Sequence, residues 1–543
     1  MPKSLLQNPR NFSLIFIIVF ALQVTAQNVI LISSFEDLCK IGKDEGYPLN
    51  GHYELTNDID ASSSNRLNYA GAYERRYHGF LPIGNDSLQF TGTFNGKGFI
   101  INGLYINRND YVGLFGYTNG AVITDVHIVG DSISGNEHVG GLVGRNENST
   151  ISRCSFTGFV RGAHNYVGGL VGRSYQSDIT GSHTVGDVRG RYYVGGLVGN
   201  IEGNCVITQS YAKNDVIGSF GVGGLVGYAD TTTRNSAITD CYSTGSVRGS
   251  AAGGIISGNY GTITKCYATG NVTAADGNNI GGLVGTNNGT ITGSHATGNV
   301  EISGGDAGGL VGYNGGSITQ CYATGDVSRR GDFISSRGGL VGRNGGSITQ
   351  SYATGNVIQG GGLVSVNDGT ITECYAAGYV DAIGSSGGLV RWPLNQNATT
   401  IRSYWDIIAS SKTESEGGTG KTTEDMKKQA TYEDWDFDLV WQIDENMSYP
   451  YFRTSINVAT IKNRIAVSQL TAPHITVKGK TLNVLTASNS DLQIRLFDMR
   501  GKTIARFNSK GGNSFSLAKI PSGRFIVEAK QNGKKSSSAI ILK

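Results

Sequence analysis

The sequence predicts an all-β protein, a parallel β-helix or solenoid of about eleven rungs with capping segments, followed by a small C-terminal antiparallel β-sandwich. Three observations predict it. The phrase seen most plainly as GGLVGYNGGSITQCYATGDV, at residues 308–327, returns eleven times. Its Leu recurs as Leu114, Leu142, Leu170, Leu197, Leu225, Ile255, Leu283, Leu310, Leu340, Leu363 and Leu389, at intervals of 23 to 30 residues. The apolar runs inside the phrase are too short for helices and are bounded by Gly, and a repeat of this period must stack on its neighbours to bury its apolar face.

The chain begins with a secretory signal at residues 1–26. Lys3 and Arg10 precede the apolar run 14–22, and Val24, Thr25 and Ala26 are the small residues that place cleavage after Ala26. The run is too short to span a bilayer, and no later stretch is long or apolar enough to do so. Residues 27–105 read as an N-terminal cap, because an exposed first coil is an open strand edge. Ser33 or Ser34 caps a short helix through Lys40 there, with Glu36 and Asp37 in its first turn.

Residues 106–391 hold the array, read as three strands per rung: GGLVG, a second strand from the Ile of SIT through CYATG, and a third around the following Val. The Gly of CYATG recurs as Gly158, Gly186, Gly245, Gly270, Gly298, Gly325, Gly355 and Gly378, with Asn214 in the one rung lacking it. Gly and Asn are the residues that visit φ > 0 most readily, which predicts a left-handed corner. Columns running from Ile179 to Ile371 and from Val188 to Val380 are expected to be core, as parallel strands require. A column exchanging only Cys and Ser, from Cys154 through Ser182, Ser210, Cys241, Cys266, Ser294, Cys321 and Ser351 to Cys374, also reads as buried. The next column tolerates His and is expected to face water: Phe156, His183, Tyr211, Tyr242, Tyr267, His295, Tyr322, Tyr352 and Tyr375.

Residues 392–453 carry all four Trp and read as a second cap, since large aromatics cover the open end of a core. A linker follows at 454–470. Residues 471–543 alternate apolar and polar residues between Gly- and Asn-rich turns, as in a separate small sandwich.

A net charge of +3 over 543 residues supplies no basic field for nucleic acid. Of the seven Cys, only Cys241 and Cys266 lie on adjacent rungs within bridging reach; the other column thiols are expected to be unbridged. No cofactor and no metal are expected. GGTGKTT at 417–423 lacks the first Gly of a phosphate loop, Ser415 standing in its place, and reads as a turn into a helix capped by Thr422 or Thr423. None of the eight His opens an HExxH motif. Asp58, Asp60 and Asp86 are the acids nearest to a hydrolytic cluster, and solvated turns account for them. Thr-x-Thr pairs such as Thr262 and Thr264 flank the Ile column as good strand formers.

GGLVG, followed by its Ile, Tyr and Thr-Gly landmarks, resembles the GLUG repeat of bacterial surface proteins, adhesins and the non-catalytic part of some IgA-specific metallopeptidases; the likeness covers roughly residues 53–452. LFDMRGKTIARF, LAKIPSGRFIVEA and IILK resemble the C-terminal sorting domain of the type IX secretion system. Together these resemblances imply a protein exported to the surface of a Gram-negative bacterium, or secreted, with the type IX machinery as a partner. The functional expectation is a non-catalytic adhesin or spacer, with a polysaccharide or a host or surface protein held on the column Tyr211, Tyr242, Tyr267, His295, Tyr322, Tyr352 and Tyr375. The alternative is a polysaccharide-degrading β-helix enzyme, a lyase or glycoside hydrolase.

Overall fold

A computed structural model describes residues 28–67, 77–274, 277, 279–329, 336–381, 386–393, 398–453 and most of 474–542. Ala26 and the linker 454–470 lie outside the described residues. The fold is all-β, with about eleven turns of parallel solenoid and a pair of small antiparallel sheets near the C-terminus. Residues up to 261 and residues from 262 onward form two compact units, described in turn.

In unit one a full turn has four strands. In one turn these are Tyr192–Gly195, Val198–Glu202, Val206–Thr208 and Tyr211–Ile217, defining faces one to four. Each strand pairs in parallel with its equivalent in the next turn, so that Ile179, Ile207 and Ile238 align on face three and Val188, Val216 and Val247 on face four, all buried. Two corners separate this from the expected three strands. GGL is itself a bend between faces one and two. The second corner falls between SIT and the Cys/Ser column, at Arg153, Gln209 and Asp240, whose φ values are 53°, 49° and 53°.

Holding a non-glycine residue in the left-handed region costs roughly 1 kcal/mol. What offsets it is the residue that follows. The amide of Cys154 donates to Ser182 Oγ at 3.1 Å, the amide of Ser182 to Ser210 Oγ at 3.1 Å, and Ser182 Oγ donates to Thr180 O at 3.0 Å. From Cys154 onward the column holds only Cys and Ser, small side chains that can accept from one turn and donate within their own, while Val126 fills the same position one turn earlier by packing alone. The expected left-handed corner at the CYATG glycine is corrected: Gly158 and Gly186 have positive φ, but Gly245, Gly298, Gly325, Gly355 and Gly378 do not, and neither does Asn214. Glycine serves close approach instead, since a Cβ at Gly245 would lie 1.8 Å from Asn214 O. Asn214 is buried and accepts from Thr184 Oγ1 at 2.6 Å.

The described residues of the segment 27–105 largely form the first turns of the solenoid rather than a separate cap. Val29–Ile32, His52–Leu55, Thr93–Asn95 and Val122–Thr124 pair successively in parallel. What remains of a cap is helix α1 (Phe35–Lys40), whose N-cap Ser34 accepts from the Asp37 amide and whose Leu38 is buried.

Unit two repeats the plan. Ile263, Ile291, Ile318, Ile348 and Ile371 are in register, as are Val272, Val300 and Val327. The amides of Cys266 and Cys321 donate to Ser294 and Ser351 Oγ at 3.0 and 3.1 Å. A further ladder runs inside face two: Asn287 Nδ2 donates to Asn314 Oδ1, Asn314 to Asn344 and Asn344 to Asn367, each at 2.8 Å and all buried. Each amide also donates to a carbonyl two residues on, at 3.2 to 3.3 Å, so the ladder satisfies the corner between faces two and three. The 23-residue interval before Leu363 shortens one turn, and buried Arg337 fills the space, donating to Ile358 O at 2.6 Å and Gln359 Oε1 at 3.1 Å.

The array continues through Thr399–Ile401 and Thr419–Lys421, so 392–453 opens with a last turn. Helix α2 (Thr423–Met426), capped by Thr422, then leads to a cluster of Tyr375, Tyr404, Met426, Tyr432, Trp435, Phe437 and Trp441. Trp405 is also buried, but Trp392 is 37 % exposed, with the Arg391 guanidinium 3.7 Å from its ring centre. Near the C-terminus, a three-stranded and a four-stranded antiparallel sheet share a core of Leu482, Val484, Leu492, Ile494, Leu496, Leu517, Phe525, Val527 and Ala529.

All seven cysteines are thiols. Cys241 and Cys266, the pair that spacing would allow to bridge, instead donate to Thr239 O and Thr264 O at 3.2 and 3.4 Å. Burial pushes the Cys321 and Cys374 thiols up to about 12. In the native protein a thiol reagent at neutral pH should therefore titrate Cys39 alone, and all seven only in guanidinium; rapid native modification of a second thiol would contradict the burial. Asn314→Ala strips an acceptor and a donor from the middle of the Asn ladder. It should lower stability by about 2 kcal/mol, read as a reduced urea midpoint, and Asn367→Ala at the ladder's end should cost less.

Candidate functional site

The water-facing column begins face four, immediately after the left-handed corner, and in-register pairing at about 4.8 Å stacks one ring on the next. In unit one His183 and Tyr211 are 4.6 Å apart between centroids and Tyr211 and Tyr242 4.7 Å, within 13° of parallel. In unit two the distances are 5.2 Å for Tyr267–His295, 4.5 Å for His295–Tyr322, 4.9 Å for Tyr322–Tyr352 and 4.9 Å for Tyr352–Tyr375. The rings are half-buried, except for Tyr375.

Three corrections follow from the geometry. Phe156 is not in the column: Ser155 pairs with His183 and accepts or donates at 2.8 Å to His127 Nδ1, and Phe156 points into the core. Tyr375 does not face water. It is 2 % exposed, packs against Trp435, Trp441 and Tyr449, and donates to Pro450 O at 2.7 Å. Finally, a ligand held on this column would not lie on open ring faces, because the rings stack face to face. What the column presents is a row of ring edges, hydroxyls and imidazole nitrogens at one per turn. Phe452 and Trp441 lie against Tyr352, and Phe452 against Tyr322, so the accessible stretch in unit two centres on Tyr267 and His295. Burial depresses the imidazole pKa of His295 below its ordinary value; burial and then the charges of His127 and Lys213 do the same for His183.

Unit one carries a second ladder that sequence reasoning missed. Tyr111, His138, Tyr166 and Tyr193 occupy successive turns of face one, with φ between 53° and 61°. Their rings stack at 4.9 Å, 4.9 Å and 5.6 Å, and Tyr117 and Tyr228 extend the row at its ends. Beside it on face two run Tyr117, Arg145, Arg173, Asn200 and Tyr228 in register. Arg145 lies 4.7 Å over Tyr117 and pairs with Glu147; Arg173 lies 5.3 Å over Tyr166 and pairs with Glu202. The signal was present as an aromatic residue just before VGGL in three turns.

His138 is buried in this ladder with no hydrogen-bond partner at Nε2, and its pKa falls to about 4, first through burial and then through the Arg173 and Arg145 charges. The unfolded chain takes up a proton near pH 6.5 that the folded imidazole refuses until about pH 4. Stability from this group is therefore complete above about pH 6.5 and lost as pH falls toward 4, by about 3 kcal/mol. His138→Phe should flatten that part of a melting-temperature profile; an unchanged profile would remove His138 as its source.

Two other motifs singled out by the sequence make backbone contacts within the fold. Thr419–Lys421 is a strand paired with Tyr404–Asp406, and Thr422 accepts from the Asp425 amide. Asp58 and Asp60 accept from the amides of Ile100 and Ser62 at 2.8 and 2.9 Å. Among the described residues no three His, Cys, Asp or Glu side chains are grouped to hold a metal ion.

The family described as "The GLUG motif" matches residues 135–160, 190–217, 218–248, 276–301, 303–328 and 337–358. A stretch such as 190–217 runs through all four faces, so one GLUG motif is one turn of solenoid. Over 128 residues the chain is 39 % identical to halomucin of Haloquadratum walsbyi, a stretch covering 23 % of this chain and 1 % of halomucin. Over 108 residues it is 35 % identical to a protein of Evansella cellulosilytica that carries the name Gly-rich membrane protein, covering 19 % of this chain and 11 % of that one. The chain thus spans only a small part of the curated relatives it matches. No solved structure matches. The class so defined is a repeat β-solenoid built from GLUG motifs, similar in its repeats to surface-type proteins. No helix among the described residues is long and apolar enough to cross a membrane.

Proposed function

We propose that this chain is an exported, surface-displayed adhesin or spacer that binds without catalysis. The signal-like residues 1–26 and the sorting-domain-like residues 471–543 support export through the type IX machinery to, or past, the outer membrane of a Gram-negative bacterium. The names of the two relatives support a surface setting. The single observation that carries the binding reading is the row of ring edges on Tyr267, His295 and Tyr322, spaced 4.5 to 5.2 Å apart. Polar ring edges recurring once per turn suit a ligand that is itself periodic, such as a polysaccharide, or an extended strand of a surface protein. A hydrolase or lyase needs a few different groups converging on one bond instead.

The test separates hydroxyl chemistry from stacking. Tyr267→Phe, His295→Phe and Tyr322→Phe keep the stack while removing the polar edges of these three rings. On a glycan array the wild-type chain should bind, and the triple variant should lose at least about tenfold in affinity with its melting temperature unchanged. Reducing-sugar release from any bound polysaccharide would replace this reading with the enzymatic one. Full binding by the triple variant would leave these three rings a stabilising stack and overturn the reading that they hold the ligand.

A further inference from the structure

Unit one turns from face four to face one on an arginine–glycine corner: Arg161-Gly162, Arg189-Gly190 and Arg248-Gly249, with Ile217-Gly218 between them. The glycines are imposed by packing. A Cβ on Gly162, Gly190 or Gly249 would come within 2.2, 2.8 or 2.3 Å of methyls of Val167, Val194 or Val222, the core residues of face one. A cleft of about 530 Å³ lies over the first two of these corners, lined by Phe159, Arg161, Gly162, Ala163, Arg189, Gly190, Arg191 and Ser219. Three guanidinium side chains line this cleft and no carboxylate does. A neighbouring cleft of about 620 Å³ shares Arg161 and Ala163 and adds Arg108 and Asp110.

The charges here are poorly compensated. Arg161 and Arg189 stand directly in register on parallel strands, one strand spacing of about 4.8 Å apart, an arrangement that is destabilising for like charges. The Arg161 side chain makes no hydrogen bond or ion pair among the described residues, and the Arg191 side chain has only the Tyr192 ring, 5.0 Å away. Arg189 shares Asp187 at 3.3 Å, with both side chains about half exposed, a pair of little energetic weight. An anionic ligand would relieve the repulsion that the fold tolerates. Nucleic acid fits the cleft less well, because base stacking needs an open ring face and the Phe159 ring is covered by Arg189 at 5.6 Å. The small net charge also provides no wide basic field around the cleft.

We propose that this arginine–glycine corner binds a linear acidic polysaccharide, bearing carboxylate or sulfate groups, laid along the stack of turns. Arg161 and Arg189 each take an anionic group on successive turns, and Arg191 closes the far wall of the cleft. The site is separate from the ring column, and it holds or fails independently of the reading above.

Biolayer interferometry on the full chain tests it, with polygalacturonate, dextran sulfate, neutral dextran and duplex DNA as probes. At least one of the two acidic polysaccharides should bind and neutral dextran should not, with affinity falling severalfold as salt rises to physiological strength. The tighter of the two identifies the anion. The variant carrying Arg161→Gln, Arg189→Gln and Arg191→Gln should lose at least about tenfold, with its melting temperature unchanged. A control carrying Lys97→Gln, Arg153→Gln and Lys265→Gln removes equal charge from other exposed positions and should stay within about twofold of wild type. The ring-column variant should also bind polygalacturonate or dextran sulfate normally. Failure of both polyanions to bind, equal loss in the control, or tighter binding of duplex DNA would overturn the proposal.

Discussion

Every feature of the solenoid depends on parallel strands stacked in register at about 4.8 Å. In that arrangement a side chain meets its own equivalent one turn away, so whatever occupies a position is selected for tolerating itself as a neighbour. Ile and Val columns meet the requirement by packing. Cys and Ser meet it by accepting the amide of one turn and donating within their own. Asn meets it with a side-chain ladder, and aromatic rings meet it by offset stacking. Arginine is the exception, since a column of guanidiniums repels itself: on face two of unit one Arg145 and Arg173 are in register but each is paired with a glutamate, and on face four Ile217 interrupts the row after Arg161 and Arg189.

The corners are where the polar backbone is satisfied, and they distribute the strain. Non-glycine residues sit in the left-handed region at one corner in nearly every turn, while glycines elsewhere serve close contact between turns. The consequence for function is geometric. Side chains emerge from this scaffold in straight rows of like groups, which favours extended, repetitive ligands over a compact reacting centre. The ring faces are consumed by the stack, so the row offers hydrogen-bonding edges, and the Trp441 and Phe452 cap shortens what is open to solvent.

The sequence by itself determined the solenoid, the inward Ile, Val and Cys/Ser columns, the two short capped helices to within one residue of the cap, and the C-terminal sandwich, because each of these rests on local pattern: the repeat period, two-residue alternation, small-residue exchange, or a capping side chain within three residues of its amide. The tertiary structure decided four further points. It placed the left-handed corner on residues such as Gln209 and Lys265, which have no turn-forming signature. It turned Phe156 inward, gave most of the described residues from 28 to 105 to the solenoid, and buried Tyr375 under a cap that follows it by some sixty residues in sequence. Alternation tells which way a side chain points within a strand. It cannot tell where the strand bends, or which distant segment folds back over it, since both are settled by contacts between turns that no single stretch of sequence contains.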